Sequence, residues 1–264
     1  MVAAENGHQG AVKILLKREE VNPNRLSIQG RTALSCAAQN GHEGVVRILL
    51  GREGVNPDKA DTRGQTPLWY AAWYGREGVV KILLRREEVD PDKPDNGGQT
   101  PLSRAAESGH EGVVKILLQR KEVHPDKPDH NGRTPLSLPS YGRNEGVTKM
   151  LLDREEVNPG KADDRGRTPL WRASWYGCER VVKILLGREE VDPDKPDNSG
   201  QTPLSCAAEY GREGVVKILL EREEVNPNKA DNYGQTPLML AAKYGYRKVV
   251  ALLQPHEAVT PNPI

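Results

Sequence analysis

The chain has 264 residues, 38 Lys and Arg against 37 Asp and Glu, and a mean hydropathy of −0.68. No apolar stretch approaches the ~20 residues of a membrane helix, no basic and then apolar leader is expected at the start, and a net charge of +1 gives no long-range field for nucleic acid or an anionic membrane surface. Glycine (26) and proline (20) together fall short of the roughly 25–30% that marks disordered chains. Three cysteines are too few for a disulfide framework and fit a reducing compartment. A cytoplasmic, monomeric protein is expected.

The first 29 residues read as a partial unit, because Ala3-Ala4-Glu5-Asn6-Gly7 resembles the end of a helix whose start is missing. From there Gly30, Gly64, Gly98, Gly132, Gly166, Gly200 and Gly234 mark starts at one constant step. Val-x-Pro keeps the same step from Val21 to Val259, and Thr-Pro-Leu keeps it from Thr66 to Thr236, with Thr32-Ala33-Leu34 as a variant. All prolines except Pro139, Pro255 and Pro263 recur in this way. A fixed period in the range of roughly 20–50 residues signals a solenoid, so residues 1–264 are expected to form one repeat domain.

Within the unit that starts at Gly64, Thr66 is an N-cap and Pro67 occupies the first helical position, where a missing N–H costs nothing. Leu68, Ala71, Ala72 and Gly75 follow at helical spacing, and Gly75 ends this short helix. A second helix begins at Arg76-Glu77 and carries Val79, Val80, Ile82, Leu83 and Leu84, with Lys81 outward. The stretch from Glu88 to Asn96 has no helical period and reads as a long turn or hairpin. The unit at Gly132 departs from this plan. Pro139-Ser140 replaces Ala-Ala, and the glycine moves to Gly142 with Arg143 in its old place. A proline well inside a helix costs ~3 kcal/mol, so a distorted or shortened first helix is expected, either as tolerated drift or as a hinge.

The pattern G-Q-T-P-L-x-x-A-A-x-x-G-x-E-G-V-V-K-I-L-L resembles the ankyrin repeat over essentially the whole chain. Near-identical units of this type are similar to arrays in large fungal proteins. The resemblance implies an all-α solenoid of stacked helix-turn-helix units with projecting hairpin loops, acting in protein recognition. The period is 34 where the family usually has 33. The family's Thr-Pro-Leu-His histidine is replaced by Ser35, Trp69, Ser103, Ser137, Trp171, Ser205 and Met239, so its inter-repeat hydrogen bonds do not carry over directly.

Catalytic and metal chemistry find no pattern. None of the six histidines pairs at metal-ligand spacing, and His8, His42 and His110 share one repeat position, which is a structural signature. The Glu-Glu pairs near 19–20, 87–88, 155–156, 189–190 and 223–224 read as solvated helix ends. The Asp-Pro-Asp-Lys-Pro-Asp connectors lack the spacing and glycine of an EF-hand loop. No catalytic residue, metal or cofactor is expected.

The surface differs. Residues two, five and six after the first-helix Leu fall on the side of the helical wheel opposite to it. They are expected to face away from the core and to line a concave groove. Here the repeats stop being alike. Tyr70, Trp73, Tyr74, Arg104, Glu107, Tyr141, Arg172, Trp175, Tyr176, Tyr210, Lys243 and Tyr244 are the candidate partner-binding residues, because Trp, Tyr and Arg dominate binding hot spots. Trp69 and Trp171, one residue after the Leu and so on its flank, are expected to pack between repeats. The reading is a non-enzymatic module for a protein or peptide partner, expected to be part of a larger protein, without nucleic acid or membrane. The alternative is a structural spacer or consensus-like artificial scaffold with no dedicated ligand.

Overall fold

Thr-Pro at a fixed interval sets the architecture, because each pair starts a short helix. The computed structural model describes residues 1–138 and 144–256, in two compact units, 1–130 and 131 onward. Unit 1 contains α1 (Val2–Glu5), α2 (Gln9–Leu16), α3 (Ala33–Asn40), α4 (Glu43–Leu50), α5 (Pro67–Trp73), α6 (Glu77–Leu83), α7 (Pro101–Ser108) and α8 (Glu111–Leu118). Unit 2 contains a 3₁₀ turn (Pro135–Ser137), then α9 (Glu145–Leu152), α10 (Pro169–Tyr176), α11 (Glu179–Leu186), α12 (Pro203–Glu209), α13 (Glu213–Leu220), α14 (Pro237–Lys243) and α15 (Arg247–Leu253). No strand occurs among the described residues, and none of their helices is long and apolar enough to cross a membrane.

Two layers build each unit. First helices stack on first helices, α1 on α3, α3 on α5 and α5 on α7. Second helices stack likewise from α2 to α8, and each pair closes on itself. Unit 2 repeats the plan, with the 3₁₀ turn against α9 and α10. The core is thin slices of Leu, Ala and Val. Leu68, Ala71, Ala72, Val80 and Leu83 are fully buried, as are their equivalents Leu102, Ala105, Ala106, Val114 and Leu117.

Local chemistry explains the ends of the helices. The Thr66 hydroxyl accepts from Trp69 N, and Thr32, Thr100, Thr168, Thr202 and Thr236 cap their helices in the same way. Gly75 adopts a φ of +66°, and a Cβ there would come within 2.6 Å of His110 Nδ1, so the turn and the packing both demand glycine. In the Gly132 unit the described part of the first-helix segment is a 3₁₀ turn, Pro135–Ser137, and Thr134 makes no side-chain cap bond. The expectation of a distorted or shortened helix there turns on Pro139, Gly142 and Arg143, which lie outside the described residues.

The connectors are turns pinned by aspartate. Asp95 Oδ1 accepts from Gly97 N and Gln99 N at 2.8 and 2.9 Å. Asp61, Asp163, Asp197 and Asp231 do the same in their own repeats. Consecutive tips are stitched through the backbone, with Asn96 N donating to Arg63 O at 2.9 Å and Asn198 N to Arg165 O at 2.9 Å. Lysines reinforce the connectors from repeat to repeat: Lys93 reaches Asp58 at 2.6 Å, Lys127 reaches Asp92 at 3.0 Å and Lys229 reaches Asp194 at 3.1 Å. The acidic connectors, which at first sight invite a cation, thus engage these carboxylates with neighbouring ammonium groups.

Candidate partner-binding face

The position after the glycine is structural at His42 and His110, as expected. His42 Nε2 donates to Glu5 O at 2.9 Å and His110 Nε2 to Trp73 O at 3.0 Å. Where arginine replaces histidine, Nε does the same work, from Arg76 to Gln39 O and from Arg212 to Trp175 O. Each donor satisfies a carbonyl near the end of the preceding repeat's first helix, a group left unpaired by the helix itself.

Trp69 and Trp171 pack between repeats, as their wheel position implied. They are 0% and 5% exposed, and each Nε1 donates at 3.1 Å to a backbone oxygen of the following repeat, Gln99 O and Gln201 O. Tryptophan at this position therefore supplies an inter-repeat hydrogen bond of its own. Serine does not, since the Ser103 hydroxyl turns back to Thr100 O at 2.8 Å. Cys36, Cys178 and Cys206 are buried, and burial pushes the Cys36 and Cys206 thiols up from their usual range.

One expectation needs correction. Apart from half-buried Arg104, residues two after the Leu do not point away from the core: Tyr70 is 6% exposed and Arg172 is 1% exposed, and Cys36, Leu138, Cys206 and Leu240 are likewise buried. The helical wheel treats the helix as isolated, but at Tyr70 and Arg172 the connector folds over this flank and bonds to it. Tyr70 Oη donates to Asp61 Oδ2 at 2.8 Å, and Arg172 Nη2 donates to Asp163 Oδ2 at 2.6 Å. Asp61 and Asp163 occupy the same repeat position, so both residues tie the first helix to its own connector. Burial would raise Asp163, yet hydrogen bonds from Arg167 and Arg172 outweigh it and hold the carboxyl below its usual pKa. Burial, then the bond to Asp61, pushes the Tyr70 phenol upward.

Residues five and six after the Leu behave differently. In unit 1 Trp73 is half-buried, and Tyr74 is 37% exposed. Trp73 packs edge-on against Trp69 at 4.9 Å and beside Tyr74 at 5.1 Å. Arg104 from the next repeat lays its guanidinium over both tryptophans, 4.9 and 5.0 Å from the ring centroids, and pairs with Glu107 at 2.6 Å. A cation held over two indole faces is a favourable electrostatic contact. In unit 2 Trp175 and Tyr176 are half-buried, while Tyr210 and Tyr244 are exposed. Trp175 gathers Trp171, Tyr176 and Tyr210 within 5.0 to 5.8 Å. Lys243 lies 5.4 Å from the Tyr244 ring. Tyr141 falls outside the described residues. Arg31 was not singled out from the sequence. It stacks 4.8 Å over Tyr70 and donates to Gln39 at 2.7 Å; its place just before the Thr cap, where Gln is the common residue, was the only signal.

The Glu-Glu pairs are exposed, as expected. No group of three or more His, Cys, Asp or Glu side chains able to hold a metal occurs among the described residues. A family model for ankyrin repeats, three copies long, matches residues 1–95, 53–129, 79–163, 121–197 and 187–262. The chain belongs to the ankyrin-repeat family. No individually curated protein matches it. Ankyrin repeats are generally protein-interaction modules and typically non-catalytic. In this ankyrin chain the half-exposed aromatics sit at the C-terminal ends of the first helices, over a slice of core that is closed.

Proposed function

We propose that this ankyrin protein holds a protein or peptide partner on the groove side of its first helices. The contacts are Trp73, Tyr74, Arg104 and Glu107 in unit 1, and Trp175, Tyr176, Tyr210, Lys243 and Tyr244 in unit 2. Tyr70 and Arg172 shape this face from beneath. One observation carries the reading: Tyr74, Tyr210 and Tyr244 are 37%, 40% and 50% exposed, in a chain with only twelve Trp and Tyr residues. Large aromatics left in water beside charged side chains are the usual anchors of protein interfaces. The protein acts in the cytoplasm, without catalysis and without nucleic acid, a reading supported by its three buried thiols and balanced charge. Residues 1–264 act as one repeat domain, supported by a sequence period that runs unbroken past residue 130.

The second reading is a structural spacer, favoured by the near-identity of the core slices and of the lysine–aspartate pairs. Replacing Tyr74, Trp175, Tyr210 and Tyr244 with alanine separates the two. Partners captured by the wild-type chain and identified by mass spectrometry are then titrated against the variants. Loss of at least ~30-fold in affinity at one hot spot, the equivalent of about 2 kcal/mol, with unchanged far-UV circular dichroism, supports the recognition reading. Equal affinity across all four variants leaves the spacer.

A further inference from the structure

Arg31, Arg63 and Arg76 gather around α3 and α5 in unit 1. Arg31 Nη2 donates to the Gln39 side chain at 2.7 Å, and Arg76 Nε donates to the Gln39 backbone oxygen at 2.9 Å. Two guanidinium groups therefore meet at one residue near the end of α3. Arg31 stacks 4.8 Å over Tyr70, and the Arg63 charge lies close enough to the same phenol to oppose the rise of its pKa. Arg31 is half-buried, and Arg63 and Arg76 are exposed.

None of the three forms an ion pair with a carboxylate among the described residues. Elsewhere in the unit Arg47, Arg86 and Arg120, on and after the second helices, pair with Glu43, Glu88 and Glu122 at 2.9, 3.2 and 3.7 Å. Asp61 is within the arginine cluster, but it is already committed to Tyr70 Oη and to the Arg63 and Gln65 amides. Glu5 approaches from the preceding repeat, where it and Arg31 act oppositely on the Cys36 thiol, yet no ion pair joins the two.

The cations border a continuous strip of rings. Tyr70, Trp69, Trp73 and Tyr74 follow one another with centroids 5.3, 4.9 and 5.1 Å apart. At the Trp73 end Arg104 is neutralised by Glu107 at 2.6 Å. Positive charge is therefore in surplus at the Tyr70 end and balanced at the Trp73 end. The net charge of +1 over the whole chain conceals this local excess.

We propose that the groove of unit 1 takes an acidic peptide in extended form. The proposal rests on the recognition reading above and gives the partner its chemistry. Carboxylates of the peptide meet Arg63 and the Nη groups of Arg76, in the fork geometry that suits guanidinium. Apolar side chains of the peptide lie on Trp73 and Tyr74. Complementary charge of this kind speeds encounter and fixes register. A nucleic acid fits less well, because its closely spaced phosphates would run along Glu5 and Glu107, whereas a peptide can place its carboxylates where the arginines stand.

Fluorescence anisotropy with the full chain tests this. The probe is a labelled peptide of about ten alternating Glu and Leu residues, which spans roughly 33 Å when extended, the width of three to four stacked helices. Counterparts carry Gln or Lys in place of Glu. The Glu peptide is expected to bind at least ~10-fold more tightly than the Gln peptide. Raising salt from about 0.1 to about 1 M, which shortens the screening length from ~10 to ~3 Å, weakens it by a similar factor. Arg63→Glu is expected to weaken it at least ~5-fold. Arg76→His, measured near pH 8 where imidazole is neutral, is expected to weaken it ~3-fold; it preserves the donor to Gln39 O, as His42 and His110 do in their repeats. Lys81→Glu, on the outward side of α6, leaves affinity unchanged. Equal binding of the Glu and Gln peptides, tighter binding of the Lys peptide, or an oligothymidylate that binds more tightly than the Glu peptide overturns the proposal. A captured partner lost by Tyr74→Ala but held at wild-type affinity by Arg63→Glu also overturns it and leaves the recognition reading standing. A partner held equally by both variants removes both.

Discussion

Removing Asp163 is expected to cost more than removing either of its arginines. Asp163 Oδ2 accepts from Arg172 Nη2 at 2.6 Å and lies 2.9 Å from Arg167 Nη2, while Oδ1 accepts from the Arg165 and Arg167 backbone amides at 2.9 Å each. The side chains of Arg172 and Asp163 are 2% and 1% exposed. In Asp163→Ala, Arg172 keeps its charge in the interior without its carboxylate. Breaking a buried pair in this way costs ~3–5 kcal/mol, and two amides in the connector turn lose their acceptor at ~1 kcal/mol each. In Arg172→Ala, Asp163 keeps Arg167 and both amides, and the charge-assisted bond it loses is worth about 1.5–3 kcal/mol. Urea titrations followed by far-UV circular dichroism give both values, and the double variant gives their coupling. The coupling is expected to exceed ~1 kcal/mol, as for residues in one network. If Arg172→Ala costs under ~0.5 kcal/mol, the size of an ordinary surface substitution, then Arg172 lies in the groove and the connector does not cover it.

Three further outcomes follow from the same structure. Thr168→Ala should cost ~1 kcal/mol by loss of its cap bond to Trp171 N, and Thr134→Ala clearly less, because Thr134 makes no such bond; equal losses in urea midpoint would contradict this. Trp171→Phe should lose ~1 kcal/mol with its bond to Gln201 O, while Ser103→Ala leaves the stacking of repeats unchanged by the same assay. Asp163 has a folded pKa held below its unfolded value of ~3.9. Its contribution is therefore complete above about pH 4 and lost as pH falls through the folded value. The stability gap between wild type and Asp163→Asn should narrow below about pH 4, and a gap independent of pH would refute the assignment.

How far the sequence could be read depended on whether a residue's surroundings repeat along the chain. Thr66, Pro67 and Gly75 define a helix by chemistry local to a few residues, and the period locates every copy. Trp69 was legible because one helical face decides its fate. Tyr70 and Arg172 were not, since their burial depends on a connector that returns over the helix, and no wheel contains that connector. The partners of Lys93 and Lys127 were hidden for a related reason. The period displays both Lys and Asp, but not which repeat each lysine leans toward. Trp73, Trp175 and Tyr210 sit between these cases: their position predicts exposure, and neighbouring aromatics or Arg104 then cover part of each ring.

The recognition reading is tested most directly by hydrogen exchange on the chain with and without a captured partner. The account predicts new protection at the C-terminal ends of α5, α7, α10, α12 and α14, and none on α6 or α13, where Lys81 and Lys217 face outward. Protection on the second helices, with the first helices unchanged, would contradict it.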